Sequence, residues 1–219
     1  MISWKNNIVN ILWELESFHN RKPISYLVLD DFIDSELFIK YENIIRSKWY
    51  KIVQNDISET RKNKTIYVPG EEIADLYDFF SSSFFEDYVS EIFGEKCTKE
   101  FYITQEQIQE HCWNTGLIWQ LYEGSDIFDW HVDGYSNGVS LWSFTYYLWW
   151  YEGEWKEEYG WILELWEWKW GDISTYEKIV PKKNRIVFIL YSDTAFHRVT
   201  SNKSHLPRLS LQSTIIKVL

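Results

Sequence analysis

The chain has 219 residues, of which 45% are hydrophobic and 25% charged, and its formal net charge is -11 at pH 7. This length and balance are typical of one folded domain with a sizeable core, and the negative charge argues against sequence-independent binding to nucleic acid. The two cysteines, Cys97 and Cys112, do not make a disulfide framework. No apolar run reaches the length of a signal peptide or a membrane span, so we expect a cytoplasmic protein without a membrane partner.

The N-terminal part of the chain predicts helices around one strand. Apolar residues recur at three- and four-residue spacing over residues 4–18, which predicts an amphipathic helix. A strand is predicted over residues 24–29. Asp34 or Ser35 then provides a suitable N-cap for a second helix, which runs to about Trp49.

The next segment is more polar and then becomes helical again. Residues 52–70 carry mixed charges, with one short predicted strand at 65–68. Residues 71–93 predict one or two helices, since three serines at 81–83 interrupt the apolar pattern.

Beyond residue 96 the pattern changes to short strands separated by Gly, Asp and Asn turns, which is typical of an all-β sandwich or barrel. The predicted strands cover residues 100–109, 119–122, 141–150, 161–170, 185–191 and 209–218. The sequence therefore predicts one mainly β domain over residues 1–219, in which residues 1–95 form a helical support region and residues 96–219 form the β core.

Aromatic residues make up 19% of the chain, and 14 of them are Trp. Many of the Trp residues fall in one segment between Trp142 and Trp170. They could line an aromatic substrate channel, form an oligomer interface, or fill an ordinary sandwich core. The sequence leaves these alternatives open.

A candidate metal site follows from two distant segments. His131 and Asp133 lie at positions i and i+2 of a predicted strand, so their side chains share one face of the sheet. His197 follows the predicted strand at 185–191 after a short loop. Two imidazoles and one carboxylate are the ligand set of a mononuclear non-haem Fe(II) site with open coordination positions.

Arg208 and Ser210 follow the last of these residues and could hold the carboxylate of a co-substrate. The planar guanidinium suits a two-pronged contact with a carboxylate. Taken alone, His197 could be a core histidine and Arg208 a surface ion-pair partner, but the order and spacing favour a metal site. The other histidines, His19, His111 and His205, lack such neighbours, and we interpret them as structural.

These residues resemble the Fe(II)/2-oxoglutarate-dependent oxygenases, specifically the prolyl-hydroxylase-like branch. The resemblance covers about residues 118–219, with a weaker match at 26–32. Its motifs are Tyr122-Glu123-Gly124, His131-Val132-Asp133, Phe144-Thr145-Tyr146-Tyr147-Leu148, Glu157-Glu158-Tyr159-Gly160, Leu163-Glu164-Leu165, Arg185-Ile186-Val187-Phe188, His197-Arg198-Val199 and Arg208-Leu209-Ser210.

The resemblance implies a double-stranded β-helix core (a jelly roll, cupin-like) supported by N-terminal helices. It also implies that His131, Asp133 and His197 are the iron ligands and form the catalytic centre. Related halogenases have a small residue in place of the carboxylate, so Asp133 favours hydroxylation or desaturation over halogenation.

The resemblance further assigns the co-substrate pocket. Arg208 would pair with the distal carboxylate of 2-oxoglutarate, Ser210 would add a hydrogen bond, and Tyr122 and Tyr147 correspond to pocket tyrosines, although both could equally be core aromatics. One departure from the family concerns its usual Gly-Gly pair, which in this chain is Gly160-Trp161.

The expected reaction is hydroxylation of an aliphatic C–H with decarboxylation of 2-oxoglutarate to succinate and CO2. Fe(II), 2-oxoglutarate and O2 are the expected cofactor and co-substrates, with ascorbate as a candidate reductant. The branch resemblance points to a prolyl residue of a peptide or protein as substrate, and a free amino acid or small metabolite is the alternative.

Two functions of another kind compete with this interpretation. A non-enzymatic jelly-roll module could use its Trp-rich face to stack on sugars or aromatic ligands. A metal-binding jelly roll of isomerase or storage type would not need Arg208 and Ser210. The complete ligand set followed by these two residues favours the oxygenase.

Overall fold

The described residues form a twelve-stranded antiparallel sheet, against which three helices pack. A computed structural model describes residues 24–47, 51–57, 61–67, 73–93, 97–99, 118–124, 126–132, 141–148, 153–169, 172–190, 195–204 and 206–217. The helices are α1 (Ser35–Ser47), α2 (Ala74–Phe80) and α3 (Ser83–Phe93). The strands are β1 (Tyr26–Leu29), β2 (Lys51–Ile57), β3 (Arg61–Tyr67), β4 (Cys97–Lys99), β5 (Ile118–Tyr122), β6 (Ile127–His131), β7 (Leu141–Tyr147), β8 (Leu163–Lys169), β9 (Asp172–Ile179), β10 (Ile186–Leu190), β11 (Ala195–Val199) and β12 (Arg208–Lys217).

The strand order is far from the sequence order. Along the sheet it is β1-β10-β7-β12-β5-β3-β6-β11-β8-β9, with β2 paired to β3 and β4 paired to β12. Strand β3 pairs antiparallel with both β5 and β6, so β5 and β6 run in the same direction along it. The connection between Tyr122 and Ile127 therefore joins two strands that run in the same direction.

The two faces of the sheet have different neighbours because successive side chains on a strand point to opposite sides. On β7, Phe144 and Tyr146 belong to the core shared with the helices, whereas Tyr147 belongs to a second core with Leu163 and Leu165 of β8. The first core is strongly aromatic: the Phe80 ring stacks on Phe144 with centroids 4.9 Å apart. We call the face that carries Tyr147 the inner face.

Helix α1 begins where the sequence predicts, and the interruption predicted at residues 81–83 separates α2 from α3. Asp34 caps α1, since its carboxylate oxygen accepts hydrogen bonds from the backbone N–H groups of Glu36 and Leu37 at 2.9 and 3.2 Å. The Ser82 hydroxyl accepts from the Phe85 N–H at 3.2 Å and separates α2 from α3. In the described part of the chain, no helix is both long and apolar enough to cross a membrane.

The β2–β3 hairpin differs from the single short strand predicted at 65–68. Residues 51–67 include three Lys, two Asn and one Asp, residue types with low strand propensity, and pairing of β3 with β5 and β6 provides the strand environment that the local sequence does not indicate. Strand β9 was likewise not predicted. The predicted helix at 4–18 and the predicted strand at 100–109 lie outside the described residues.

Asn184 joins the helical side of the molecule to the sheet. Its amide nitrogen donates to the Ile33 carbonyl at 2.7 Å, and its amide oxygen accepts from the Ile33 N–H at 3.0 Å and from the Tyr146 hydroxyl at 2.9 Å. The backbone φ of Asn184 is 59°, in the left-handed region that Asn tolerates better than most residues. Burial raises the pKa of the Tyr146 hydroxyl well above its usual value, so this group remains a donor.

Replacing Asn184 with Ala is expected to destabilise the fold by about 3 kcal/mol or more, because each buried group that loses its partner costs ~1–3 kcal/mol. Tyr146→Phe removes only one of the three side-chain hydrogen bonds and should cost about 1 kcal/mol. Urea unfolding of the two variants measures the difference. Equal stability of Asn184→Ala and the natural chain would show that the residue is not a structural link.

Candidate active site

The two histidines singled out by the sequence lie directly opposite each other on adjacent strands. His131 at the end of β6 pairs in register with His197 of β11. Their ring centroids are 4.1 Å apart. The side chain of His197 is buried, whereas His131 is partly accessible. Residues more than sixty positions apart in sequence are thus brought into contact, as the predicted metal site requires.

Each histidine is oriented by a carbonyl two residues before it. His131 Nδ1 lies 2.6 Å from the Asp129 carbonyl oxygen, and His197 Nδ1 lies 3.1 Å from the Ala195 carbonyl oxygen. A carbonyl oxygen only accepts, so Nδ1 carries the proton in both neutral rings and the lone pair resides on Nε2. Metal-binding imidazoles are commonly oriented in this way.

A β-bulge shapes the strand that carries His131. His131 is opposite His197, but the next paired position joins Phe128 to Val199, so β6 has one extra residue there. The bulge allows the Phe128 ring to stack on His131 with centroids 3.5 Å apart and an interplanar angle of 16°. Bulges are frequent next to active sites, where they redirect a side chain.

The predicted third ligand, Asp133, lies outside the described residues. Among the residues that the structure does describe, there is no group of three or more His, Cys, Asp or Glu side chains suited to a metal ion. The two oriented imidazoles fit an iron centre in their chemistry and placement, and the carboxylate ligand stays a prediction from the sequence.

On the opposite face of β6, β11 and β8, stacked side chains connect the three strands. The guanidinium of Arg198, the residue after His197, lies 4.4 Å from the Trp130 ring centroid, and Trp130 stacks on Trp166 at 4.1 Å. Arg198 also donates to the Glu164 carboxylate at 2.6 Å. These contacts join β6, β11 and β8 directly behind the two histidines. Two of the Trp residues therefore support the strands.

Arg208 is a buried cation at the start of β12. Its side chain is 1% exposed and lies between two tyrosines, with its guanidinium carbon 4.9 Å from the ring centroids of both Tyr122 and Tyr147. Nη2 donates to the Tyr147 hydroxyl at 3.3 Å. Within the described part of the chain, the buried Nε and Nη1 atoms have no hydrogen-bond acceptor. A buried charge is normally paired, so this guanidinium fits an anionic ligand.

Ser210 belongs to the same group by strand register. It pairs with Gln120 of β5 and with Tyr147 of β7, and its side chain is buried. Its hydroxyl accepts a hydrogen bond from Gln212 Nε2 at 3.2 Å. The structure therefore brings together all four residues for which a co-substrate role is predicted: Tyr122, Tyr147, Arg208 and Ser210.

The contacts of three residues around the candidate site could not be predicted from the sequence. Phe128 reaches His131 only because of the bulge, which has no sequence signal. Arg198 was visible as the residue after a candidate ligand, but its contact with Trp130 depends on strand pairing. Trp161 was noted as a departure from the family, and the structure places its side chain in contact with Tyr122 at a ring-centroid distance of 6.4 Å.

Part of the chain matches a known protein family. Residues 117–215 match the family model described as the 2OG-Fe(II) oxygenase superfamily. No curated protein sequence is significantly similar to the chain.

Solved structures with similar folds cover almost the whole chain. A prolyl-4-hydroxylase from Pseudomonas putida is 15% identical over 94% of this chain and 98% of its own, with a TM-score of 0.54. A prolyl hydroxylase from Trichoplax adhaerens, solved with a hypoxia inducible factor peptide fragment, is 14% identical over 95% and 94%, with a TM-score of 0.60. The epimerase SnoN from nogalamycin biosynthesis is 12% identical over 93% and 81%, with a TM-score of 0.61. The predicted jelly-roll fold with supporting helices is confirmed.

Proposed function

Residues 117–215 belong to the 2OG-Fe(II) oxygenase superfamily, and from this membership we propose that the chain hydroxylates an aliphatic C–H bond, with a prolyl residue of a peptide or protein as its substrate. The cofactor and co-substrate are those of the family, Fe(II) and 2-oxoglutarate. Bound together, they supply the oxidising chemistry: one atom of O2 enters the substrate as a hydroxyl, and the other enters succinate as 2-oxoglutarate loses CO2.

His131 and His197 are proposed to bind the iron through Nε2, with Asp133 as the carboxylate ligand. The support is the direct pairing of the two histidines and the carbonyl contact that fixes each ring. Because the contacts hold Nδ1 as a donor, neither ring needs to change tautomer to bind a metal. Two neutral imidazoles and one carboxylate leave open positions on the metal, as this chemistry requires.

The environment of Arg208 is the observation on which the proposed 2-oxoglutarate site rests. A buried guanidinium with Nε and Nη1 lacking acceptors among the described residues is stabilised when a carboxylate enters. Ser210 is proposed to add a hydrogen bond, and the guanidinium lies between the rings of Tyr122 and Tyr147. A sugar-binding module does not require a buried guanidinium, so this arrangement favours the enzyme.

The peptide substrate is supported by two features. The two prolyl hydroxylases named above share the fold over nearly their whole length. In addition, Val132, directly after His131, is 36% exposed, so the proposed metal-binding end of β6 reaches the protein surface. An accessible metal site suits a substrate residue presented on a larger chain.

The reaction is tested with the purified protein, Fe(II) and 2-oxoglutarate. Under anaerobic conditions we expect a weak visible charge-transfer band, lost in Asp133→Ala and weakened in Arg208→Ala. In air we expect succinate to form. A protein that shows neither the band nor succinate would not be an oxygenase of this type.

The substrate is tested separately by mass spectrometry. Proline-containing peptides, free amino acids and small metabolites are incubated with the active enzyme and examined for a mass gain of one oxygen. Gain on proline within a peptide supports the proposed substrate. Gain only on free amino acids or metabolites would replace it with the alternative small-molecule hydroxylase.

A further inference from the structure

Trp161 has a conformation that a residue with a large side chain rarely adopts. Its φ is 50°, in the left-handed region, where a Cβ atom crowds the backbone. The side chain is nevertheless completely buried. Strained residues persist where the surrounding structure holds them, and they occur often at ligand-binding sites. The position of the indole therefore calls for a functional explanation.

The surrounding contacts fix the indole from several directions. It stacks on Trp155 with centroids 5.5 Å apart and an interplanar angle of 23°, and its N–H donates to the Asp126 carbonyl at 3.3 Å. The Trp155 indole in turn donates to the Gly160 carbonyl at 2.8 Å. Asp126 lies in the connection between β5 and β6. Trp161 is thus held against this connection.

Gly160, the residue before Trp161, packs closely against the connection between β11 and β12. A Cβ atom added to Gly160 would lie 2.1 Å from the Ser201 carbonyl oxygen, so no larger residue fits there. The Lys203 N–H donates to the Tyr159 carbonyl at 2.8 Å, and the Thr200 N–H donates to the Ile162 carbonyl at 3.0 Å. The backbone around Trp161 is therefore fixed to the connection that leads from His197 to Arg208.

Tyr122 joins Trp161 to the buried cation. Its ring is 6.4 Å from Trp161 and 4.9 Å from the Arg208 guanidinium, both centroid distances within contact range. The Tyr122 ring therefore has the indole as one neighbour and the guanidinium as another. Because the indole is completely buried, it limits the positions that the Tyr122 ring can adopt beside Arg208.

We propose that Trp161 is a specificity-determining residue for the 2-oxo acid: its indole supports Tyr122 against Arg208 and limits the pocket to a five-carbon dicarboxylate. This inference rests on the proposed function, since it needs 2-oxoglutarate to bind at Arg208. Trp161 touches Tyr122 and acts through it. Removing the indole leaves space next to Tyr122, so that the tyrosine ring can move and a longer dicarboxylate, 2-oxoadipate, can be accommodated.

The test compares equilibrium binding of 2-oxoglutarate and 2-oxoadipate to the iron-loaded protein without O2, by calorimetry. In the natural chain we expect 2-oxoglutarate to bind at least tenfold more tightly. In Trp161→Gly, which suits the left-handed backbone, we expect this preference to fall to threefold or less. Trp161→Phe, which retains a smaller ring, provides a second folded variant and should lie between them.

Trp166→Ala is the matched control, because it also deletes a buried indole but lies behind the histidines, in contact with Trp130. It should lower thermal stability and leave the ratio of the two dissociation constants unchanged. An unchanged ratio in folded Trp161→Gly and Trp161→Phe would overturn the inference while leaving the proposed function intact. Failure of the natural chain to bind 2-oxoglutarate at all would overturn both.

Discussion

Replacing His197 with Ala is expected to weaken Fe(II) binding by more than about 100-fold, since losing even an outer partner of a metal ligand costs ~10–100-fold. Turnover, measured as succinate formation, should fall to background. The reason lies in the geometry: His197 and His131 face each other with fixed ring orientation, and a single remaining imidazole with one carboxylate holds iron poorly. Anaerobic Fe(II) titration measures the affinity directly.

His131→Ala gives a cleaner version of the same experiment. His131 is partly accessible, so its removal should reduce iron affinity to a similar extent while thermal unfolding stays close to that of the natural chain. His205→Ala serves as the control, because this histidine is interpreted as structural. A collapse of stability in His131→Ala with undiminished iron binding in the folded fraction would contradict the assignment of this residue as a ligand.

Replacing Arg208 with Met is expected to weaken 2-oxoglutarate binding by about 30-fold or more, since truncating one partner of a buried charged pair costs ~2–5 kcal/mol and each 1.4 kcal/mol is tenfold. Iron binding should be retained, because the guanidinium is assigned to the co-substrate. Calorimetric titration of the iron-loaded variant with 2-oxoglutarate, in the absence of O2, measures the loss.

The unliganded Arg208→Met variant should be as stable as the natural chain or more stable. A buried guanidinium whose Nε and Nη1 have no acceptors among the described residues destabilises the fold, and an apolar residue of similar length avoids this penalty. Arg208→Lys keeps the charge without the planar fork, so its binding should be intermediate. If Arg208→Met bound 2-oxoglutarate normally, the carboxylate site would have to lie elsewhere.

The residues proposed for the site could be selected from the sequence, whereas the contacts that orient them could not. His131, His197 and Arg208 were found because the residue types that such chemistry requires are few and their order along the strands is restrictive. The family resemblance implies that Arg208 and Ser210 share a pocket with Tyr122 and Tyr147, and strand register pairs Arg208 with Tyr122 and Ser210 with Tyr147. Asp133 remains a prediction.

What could not be predicted depends on contacts between distant segments. The bulge that brings Phe128 onto His131 exists only in the pairing with β11. Strand β3 takes its conformation from β5 and β6, against a polar local sequence. The left-handed backbone of Trp161 is stabilised by the burial of its own indole, and no rule based on local propensity assigns that conformation to Trp.

The position of β3 has a consequence for dividing this protein. Strands β1 and β3 come from the first 95 residues, yet β1 completes the sheet beside β10, and β3 bridges β5 and β6. A fragment that started at residue 96 would keep every residue proposed to bind iron or 2-oxoglutarate. It would nevertheless expose unpaired backbone groups along β5, β6 and β10, and such edges promote aggregation. The smallest fragment expected to fold and react therefore includes strands from the first 95 residues, although every residue proposed to bind iron or 2-oxoglutarate follows residue 96.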